Sequence, residues 1–494
     1  MTTPKWVQDA IFYQIFPDRF ARSNRMPDFG YEAWDTPPTV HGFKGGDLYG
    51  IAEKLDYLQD LGITAIYLNP IFSSAANHRY HTYDYYNVDP LLGGNKAFHF
   101  LLERAHKRNM RVILDGVFNH ASRGFWPFHH VLETGAASPY KDWFHFNPEH
   151  LHGQKHWGAY PTHHEQELIQ REGSFKAIGY QGWWNLPALP KFNTNTPAVR
   201  EFLFDVGEFW VRFGIDGWRL DVPAEIDDDA FWQEFRQRVR AVNPEAYLVG
   251  ELWHEAQRWL QGDQFDAAMN YLVTAAALSF FGDKRLDMGV VNQAGGLQNR
   301  VHPTMHANSF ANELDRLFNL YKPEIVRSQL NLLDSHDMPR FLSCVSGDKN
   351  ALKLAWLFMF TIPGAPCIYY GDEIGVDGRH DPDCRKSFPW DESRWDKDLL
   401  EYLKACIKLR KSNPVLRRGD YKRLHTEDDV IAFCRTLKNE TIYVVFNSSD
   451  KNRSLQLPAP AKNPRVLFGP TDMIGVKGNS LLIDIPPRTG LVYR

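Results

Sequence analysis

The sequence predicts an α/β chain: a (β/α)8 TIM barrel with a small domain inserted after the third strand and a C-terminal all-β sandwich domain. Three observations point there. Eight apolar, strand-like runs recur between AIFYQIF near residue 10 and APCIYYGDE from Ala365, separated by helically patterned segments. The interval between the third and fourth runs is too long for one helix. After about Asn413 the pattern changes to short alternating runs bounded by turn residues.

In chain order the runs are AIFYQIF, TAIYLNP from Thr64, RVILDGV from Arg111, GIDGWRLD from Gly214, AYLVGEL from Ala246, FDAAMNY from Phe265, SQLNLLDSH from Ser328 and APCIYYGDE. Segments such as GIAEKLDYLQDLG and KAFHFLLERAHKRN carry apolar residues at helical spacing. Strand and helix therefore alternate as a parallel barrel requires, and residues 1–120 and 183–412 are assigned to it. Residues 121–182, rich in His, Trp, Pro and Gly, form the insert, expected over the barrel mouth. DDVIAFCRTL, ETIYVVFN, RSLQLP and GLVYR assign residues 413–494 to the sandwich.

A chain of 494 residues suits one large barrel with additions, and 43% hydrophobic against 23% charged residues describes a soluble globular protein. The net charge of −4 leaves no basic footprint for nucleic acid. Fifteen tryptophans are compatible with a carbohydrate site, although aromatic rings mostly fill cores. Cys344, Cys367, Cys384, Cys406 and Cys434 have no metal-ligand spacing and read as reduced, mostly buried thiols. MTTPKWVQDAIFYQIF lacks the pattern of a secretory signal, and no run is apolar for long enough to span a bilayer. The expectation is a cytoplasmic protein with no membrane partner.

Three runs end in acids: GIDGWRLD at Asp221, YLVGE at Glu251 and NLLDSHD at Asp337. In a parallel barrel, catalytic side chains stand at the C-terminal tips of different strands, so acids distant in sequence meet over one mouth. Asp221 and Glu251 lie 30 residues apart, about one strand-helix-strand unit. Two carboxylates flanking a scissile bond are what glycoside hydrolysis needs. Any one of them alone would be better read as a helix cap or a solvated loop acid; three in matching context are not. Arg219, two residues before Asp221, shares its face of the strand and is expected to keep Asp221 ionised, unless it is a purely structural ion-pair partner. Glu251, between Val249, Gly250, Leu252 and Trp253, is expected in an apolar setting that favours its protonated form.

GITAIYLNP, DGVFNH, LPKFN, GWRLD, VGEL, NLLDSHD and PGAPCIYYGDE occur in this order. The set resembles the ordered motifs of the α-amylase superfamily of glycoside hydrolases. The resemblance implies a retaining mechanism with Asp221 as nucleophile, Glu251 as general acid/base and Asp337 as the carboxylate that holds sugar hydroxyls. It implies that His120 and His336 hydrogen-bond the sugar being cleaved, that Tyr80 stacks on that ring, and that Asp381 and Arg385 bind its other side. Tyr80 read without the resemblance is equally a core residue. Trp253 is a candidate stacking platform on the leaving-group side.

LPKFN, with WPFHHVLETG and KDWFHF in the insert, is similar to the cyclomaltodextrinase, neopullulanase and maltogenic amylase subgroup. That implies α-glucan oligosaccharides or cyclodextrins as partners. The subgroup normally carries a further N-terminal domain of about a hundred residues, whereas barrel-like sequence begins here almost at once. A more open cleft or a different assembly, monomer or homodimer, is the expectation. The segment after the nucleophile reads Val222, Pro223, Ala224 and Glu225 in place of the usual VANE. No metal is expected to be required: Ala224 and Glu225 stand where a calcium-site histidine is usual, and FARSNRMPD offers few of the six to eight oxygens calcium takes. Rival readings are an α-1,6-glucosidase or a glucan-rearranging transferase of the same fold. LPKFN speaks against the oligo-1,6-glucosidase branch, whose motif resembles QPDLN. A non-catalytic scaffold barrel is disfavoured by the presence of all three acids.

Overall fold

The barrel wall consists of β1 (Phe12–Ile15), β2 (Ala65–Leu68), β3 (Arg111–Gly116), β4 (Gly217–Leu220), β5 (Tyr247–Gly250), β6 (Ala267–Ala268), β7 (Leu330–Asn331) and β8 (Ala365–Tyr369). A computed structural model of the protein describes residues 3–153, 157, 160–458, 464–478 and 480–494. The strands run parallel in the order β6-β5-β4-β3-β2-β1-β8-β7, and a parallel bridge between Met269 and Leu330 links the two ends of the sheet into a ring. All eight predicted runs contribute a strand. FYQI, AIYL, GWRL and YLVG are buried throughout, because helices cover the outer face and side chains fill the inside.

The outer helices are amphipathic. In Pro197–Phe213 the buried residues Val199, Leu203, Phe204, Val206 and Trp210 recur at helical spacing, with proline pre-setting the first turn. Asp228 starts the next helix, Asp229–Val242, by accepting from the Phe231 N–H.

Between β3 and β4 the chain leaves the barrel for the insert, which includes the helices Trp126–Thr134 and His163–Glu172. Residues 154–156 and 158–159 of the predicted insert lie outside the described residues. Backbone bridges Phe144–Phe192 and Gly182–Pro190 fasten it to LPKFN beside the mouth, His120–Lys191 ties LPKFN to the segment after β3, and Phe146–Tyr180 closes the insert on itself. Phe125, Phe144 and Phe192 pack edge-to-face or stacked beneath it.

The C-terminal strands are β9 (Asp420–Glu427), β10 (Val430–Leu437), β11 (Glu440–Asn447), β12 (Arg453–Pro458), β13 (Val466–Phe468), β14 (Ile474–Lys477), β15 (Ser480–Ile485) and β16 (Thr489–Tyr493). They pair antiparallel in two sheets, ordered β9-β10-β11-β16-β13 and β12-β15-β14. Val430, Val445 and Leu491 of one sheet share a core with Leu455, Leu481 and Ile483 of the other, as in a sandwich. All five cysteines are buried and free. Among the described residues no helix is long and apolar enough to cross a membrane.

Candidate active site

Asp221 and Glu251 stand one residue beyond β4 and β5, and Asp337 stands in the loop after β7. Arg219 gathers them. Its Nη1 lies 2.8 Å from Asp115 Oδ1 and 2.9 Å from Asp221 Oδ1, and its Nη2 lies 3.0 Å from Glu251 Oε2 and 4.0 Å from Asp337 Oδ2. Asp115 is paired in register with Arg219 across β3 and β4, which fixes the shortest of these contacts in the barrel wall. Burial works against the guanidinium charge, but Asp115 and Glu251 hold it firmly protonated.

This arrangement corrects two expectations. Arg219 does not hold Asp221 ionised by itself: burial raises the Asp221 carboxyl well above the usual range and outweighs Arg219, and the charges of Glu251, Asp115 and Asp337 raise it further. Burial likewise raises the Asp115 and Asp337 carboxyls, with Arg219 opposing in each case. Nor is Glu251 in an apolar setting. Its Oε2 accepts the Val222 N–H at 3.1 Å and its Oε1 accepts Trp253 Nε1 at 3.1 Å, in addition to the Arg219 contact. The sequence neighbours Val249 and Leu252 do not surround it; groups from β4 and its own loop do.

What distinguishes the two acids is their free valence. Glu251 has both oxygens engaged, whereas Asp221 Oδ2 is buried with no hydrogen-bond partner among the described residues. An oxygen free of hydrogen bonds is the one available to attack once its carboxyl is ionised. Val222 carries strain to achieve this geometry: a β-branched residue at φ 36°, ψ 51° occupies the left-handed region, and that turn aims its N–H at Glu251.

Tyr80 and His336 form the opposite wall. The Tyr80 hydroxyl donates to Asp115 Oδ2 at 2.8 Å and lies 2.5 Å from His336 Nε2. His336 Nδ1 accepts from Gln14 Nε2 at 2.9 Å, so the proton sits on Nε2, 3.0 Å from Asp337 Oδ2. Burial, then the charge of Arg385, keeps this imidazole neutral by pulling its pKa well below the usual value. Gln14 also donates to Asn69 at 3.0 Å, and Asn69 donates to Tyr80 at 3.1 Å, closing the network. Arg385 pairs with Asp381 as predicted, Nη1 lying 3.0 Å from its Oδ1, and also reaches Asp337, Nη2 lying 3.5 Å from Oδ1. Burial raises the Asp337 carboxyl to about 7, with Glu251 adding and Arg385 and Arg219 opposing.

Two predicted residues take other positions. Trp253 is no open platform: its ring stacks on Tyr271 at 3.6 Å, and Gly296 packs so closely on it that an added Cβ would lie 2.0 Å from Cε3. With Nε1 on Glu251, its place is to orient the acid. His120 is fully buried, stacked under Trp183 at 4.9 Å, with Nε2 3.3 Å from the Tyr80 carbonyl and Nδ1 3.3 Å from Asn119 Nδ2. Burial lowers its pKa to about 3. It packs under Trp183 and against the Tyr80 backbone.

Sequence reasoning passed over Asp115, Gln14, Asn69 and Tyr67, whose hydroxyl donates to Asp115 at 2.7 Å. The available signal was a polar residue inside an otherwise apolar strand, Gln14 in FYQI and Asp115 in RVILDG. As for a metal, the loop that follows FARSNRMPD turns its oxygens onto Lys44. The buried ammonium donates to Ala33 O at 2.7 Å, Thr36 O at 2.8 Å and Thr36 Oγ1 at 2.7 Å, with Glu32 Oε2 at 3.3 Å. Lys191 Nζ likewise donates to Glu225 O at 2.9 Å. Oxygens that already bind an ammonium do not fit a calcium ion, and among the described residues no three His, Cys, Asp or Glu form a metal-holding group.

A parallel barrel with carboxylates at several strand tips around one arginine defines a glycoside hydrolase of the barrel class. The chain belongs to the α-amylase family: residues 14–399 match the alpha amylase catalytic domain, and residues 421–491 match the maltogenic amylase C-terminal domain. It is 41% identical to a cyclomaltodextrinase of Geobacillus thermopakistaniensis, across 99% of this chain and 77% of the relative. Among solved structures it is similar to Ttha1563 from Thermus thermophilus, with 46% identity, TM-score 0.89 and 99% of each chain covered. It is also similar to the debranching enzyme of Nostoc punctiforme, at 43% identity and TM-score 0.87, covering 100% of this chain and 99% of that one.

Proposed function

We propose that the protein is a retaining hydrolase of α-1,4-glucosidic bonds in cyclodextrins, maltooligosaccharides, pullulan or branched glucans, with some α-1,6 cleavage and transglycosylation. The observation that carries this reading is the single guanidinium, Arg219, holding Asp221 and Glu251 together with one Asp221 oxygen left unpaired. Asp221 Oδ2 attacks the anomeric carbon as Glu251 protonates the departing glycosidic oxygen, giving a glycosyl-enzyme. Glu251 then takes a proton from water, which attacks the same carbon and releases Asp221. Asp337, flanked by His336 and Arg385, holds sugar hydroxyls, and Tyr80 lines the same wall. The names of the relatives, a cyclomaltodextrinase and a debranching enzyme, support both linkage types.

Residues 121–182 act as the insert beside the mouth and residues 413–494 as the C-terminal domain. The five buried thiols suit a reducing, cytoplasmic setting. The chemistry needs no metal, so dialysis against EDTA should leave activity unchanged; a loss restored by calcium contradicts that. Product analysis on cyclodextrin, pullulan and panose tests the whole reading. Short saccharides are expected from all three. A pool dominated by longer oligomers makes the enzyme a transferase, and cleavage of panose with cyclodextrin untouched makes it an α-1,6-glucosidase.

A further inference from the structure

Trp184 is an exposed tryptophan that the fold holds at a cost. Its side chain is 74% exposed, and its backbone lies in the left-handed region at φ 51°, followed by Asn185 at φ 60°. Asparagine tolerates that conformation; tryptophan is strained in it. The turn is built to impose it. Ser174 Oγ accepts the Gly182 N–H at 2.9 Å, and Asn185 Oδ1 accepts the Ser174 N–H at 3.0 Å. Gly182 is required there, since a Cβ would fall 2.2 Å from the Leu186 carbonyl. Trp183 Nε1, next in the chain, is buried with no hydrogen-bond partner among the described residues. Exposed indole, strained backbone and an unpaired donor all oppose folding, which points to a use in function.

The rings say what that use is. His120, buried behind Tyr80, stacks on Trp183 at 4.9 Å and 8°, and Trp183 stacks on Trp184 at 4.4 Å and 17°. Three near-parallel rings thus lead from the catalytic wall to solvent, and the outermost face is open. The stack is anchored at the end of β3, two strands round the ring from β5 and its acid, so it serves a different sector of the mouth from Trp253. Trp253 is partly buried with a face stacked on Tyr271, whereas Trp184 is 74% exposed.

We propose that Trp184 is a remote sugar-binding platform, on which a glucosyl unit of an α-glucan stacks its apolar face while another unit of the same chain occupies the catalytic centre. This rests on the glucan-hydrolase reading above. The platform selects for chain length: a substrate too short to reach it gains nothing, and a longer one is held by an extra ring contact. The contact forms equally in the ground and transition states, so it acts on KM and not on kcat.

The test compares wild-type enzyme, Trp184→Ala and Trp184→Phe on maltotriose and maltoheptaose. Stacking of this kind corresponds to about three- to tenfold in affinity. The expected result for Trp184→Ala is a KM for maltoheptaose raised by that factor, with kcat and all maltotriose constants unchanged, and Trp184→Phe close to wild type. An unchanged maltoheptaose-to-maltotriose ratio of kcat/KM overturns the proposal. If the wild type hydrolyses neither sugar, the functional reading fails, and calorimetric titration of maltoheptaose still decides the platform: equal Kd for wild type and Trp184→Ala contradicts it.

Discussion

Arg219 reaches Glu251 as closely as it reaches Asp221, at 3.0 Å through Nη2 against 2.9 Å through Nη1. One buried cation therefore serves nucleophile, acid and the wall residue Asp115 together. Replacing Arg219 by Ala leaves buried carboxylates without their counter-charge, which costs about 3–5 kcal/mol. Urea unfolding should show that loss, with activity abolished. Unaltered stability would mean the carboxyl groups are neutral without the arginine.

Glu251 is assigned proton transfer, and leaving groups differ in their need of it. Glu251→Gln should slow maltooligosaccharide hydrolysis by about 10²–10⁴-fold. Fluoride needs no proton to depart, so the first-turnover burst of fluoride from α-maltosyl fluoride should stay near wild type. Equal losses on both substrates would remove Glu251 from the acid role.

Asp337 makes stability depend on pH in a stated direction. Burial raises its carboxyl from 3.8 to about 7, so between those values the folded state binds a proton that the unfolded state has lost. Unfolding then releases protons, and this contribution, complete below pH 3.8, is lost as pH rises through about 7. The stability of wild type minus that of Asp337→Asn should decline across the window and level off above it. A flat difference contradicts the shift.

Gly296 leaves room for Trp253. Gly296→Ala places a Cβ 2.0 Å from the indole, which must move and give up its 3.1 Å bond to Glu251. Losing a hydrogen bond corresponds to about two- to tenfold, expected in kcat. Trp253→Phe should reproduce the loss without the clash. Wild-type kcat in both variants would return Trp253 to the role of a simple lining residue.

These particulars show what the chain discloses unfolded. The barrel was legible because each strand is a short apolar run ending in polar residues, and this survives even where β6 and β7 shorten to two residues each. Arg219 beside Asp221 was legible because strand side chains repeat every second residue. The surroundings of Glu251 were legible only for Trp253, two residues on; its other partners, Arg219 and Val222, come from β4 and the turn after it. The packing of His120 was not legible for a similar reason: the ring that covers it, Trp183, lies 63 positions further along. Trp253 was read as open because nothing in the sequence announces that Gly296 closes over it. Motifs name the residues at a mouth; which of them reach the substrate depends on contacts between distant segments.

The central claim is that Asp221 becomes covalently glycosylated. The direct measurement is peptide mass mapping after incubation with a 5-fluoro-α-glucosyl fluoride, which slows release of the intermediate. The account predicts one added sugar, located on Asp221 and absent in Asp221→Asn. A sugar on another residue, or turnover that yields the inverted anomer with no adduct, would contradict it.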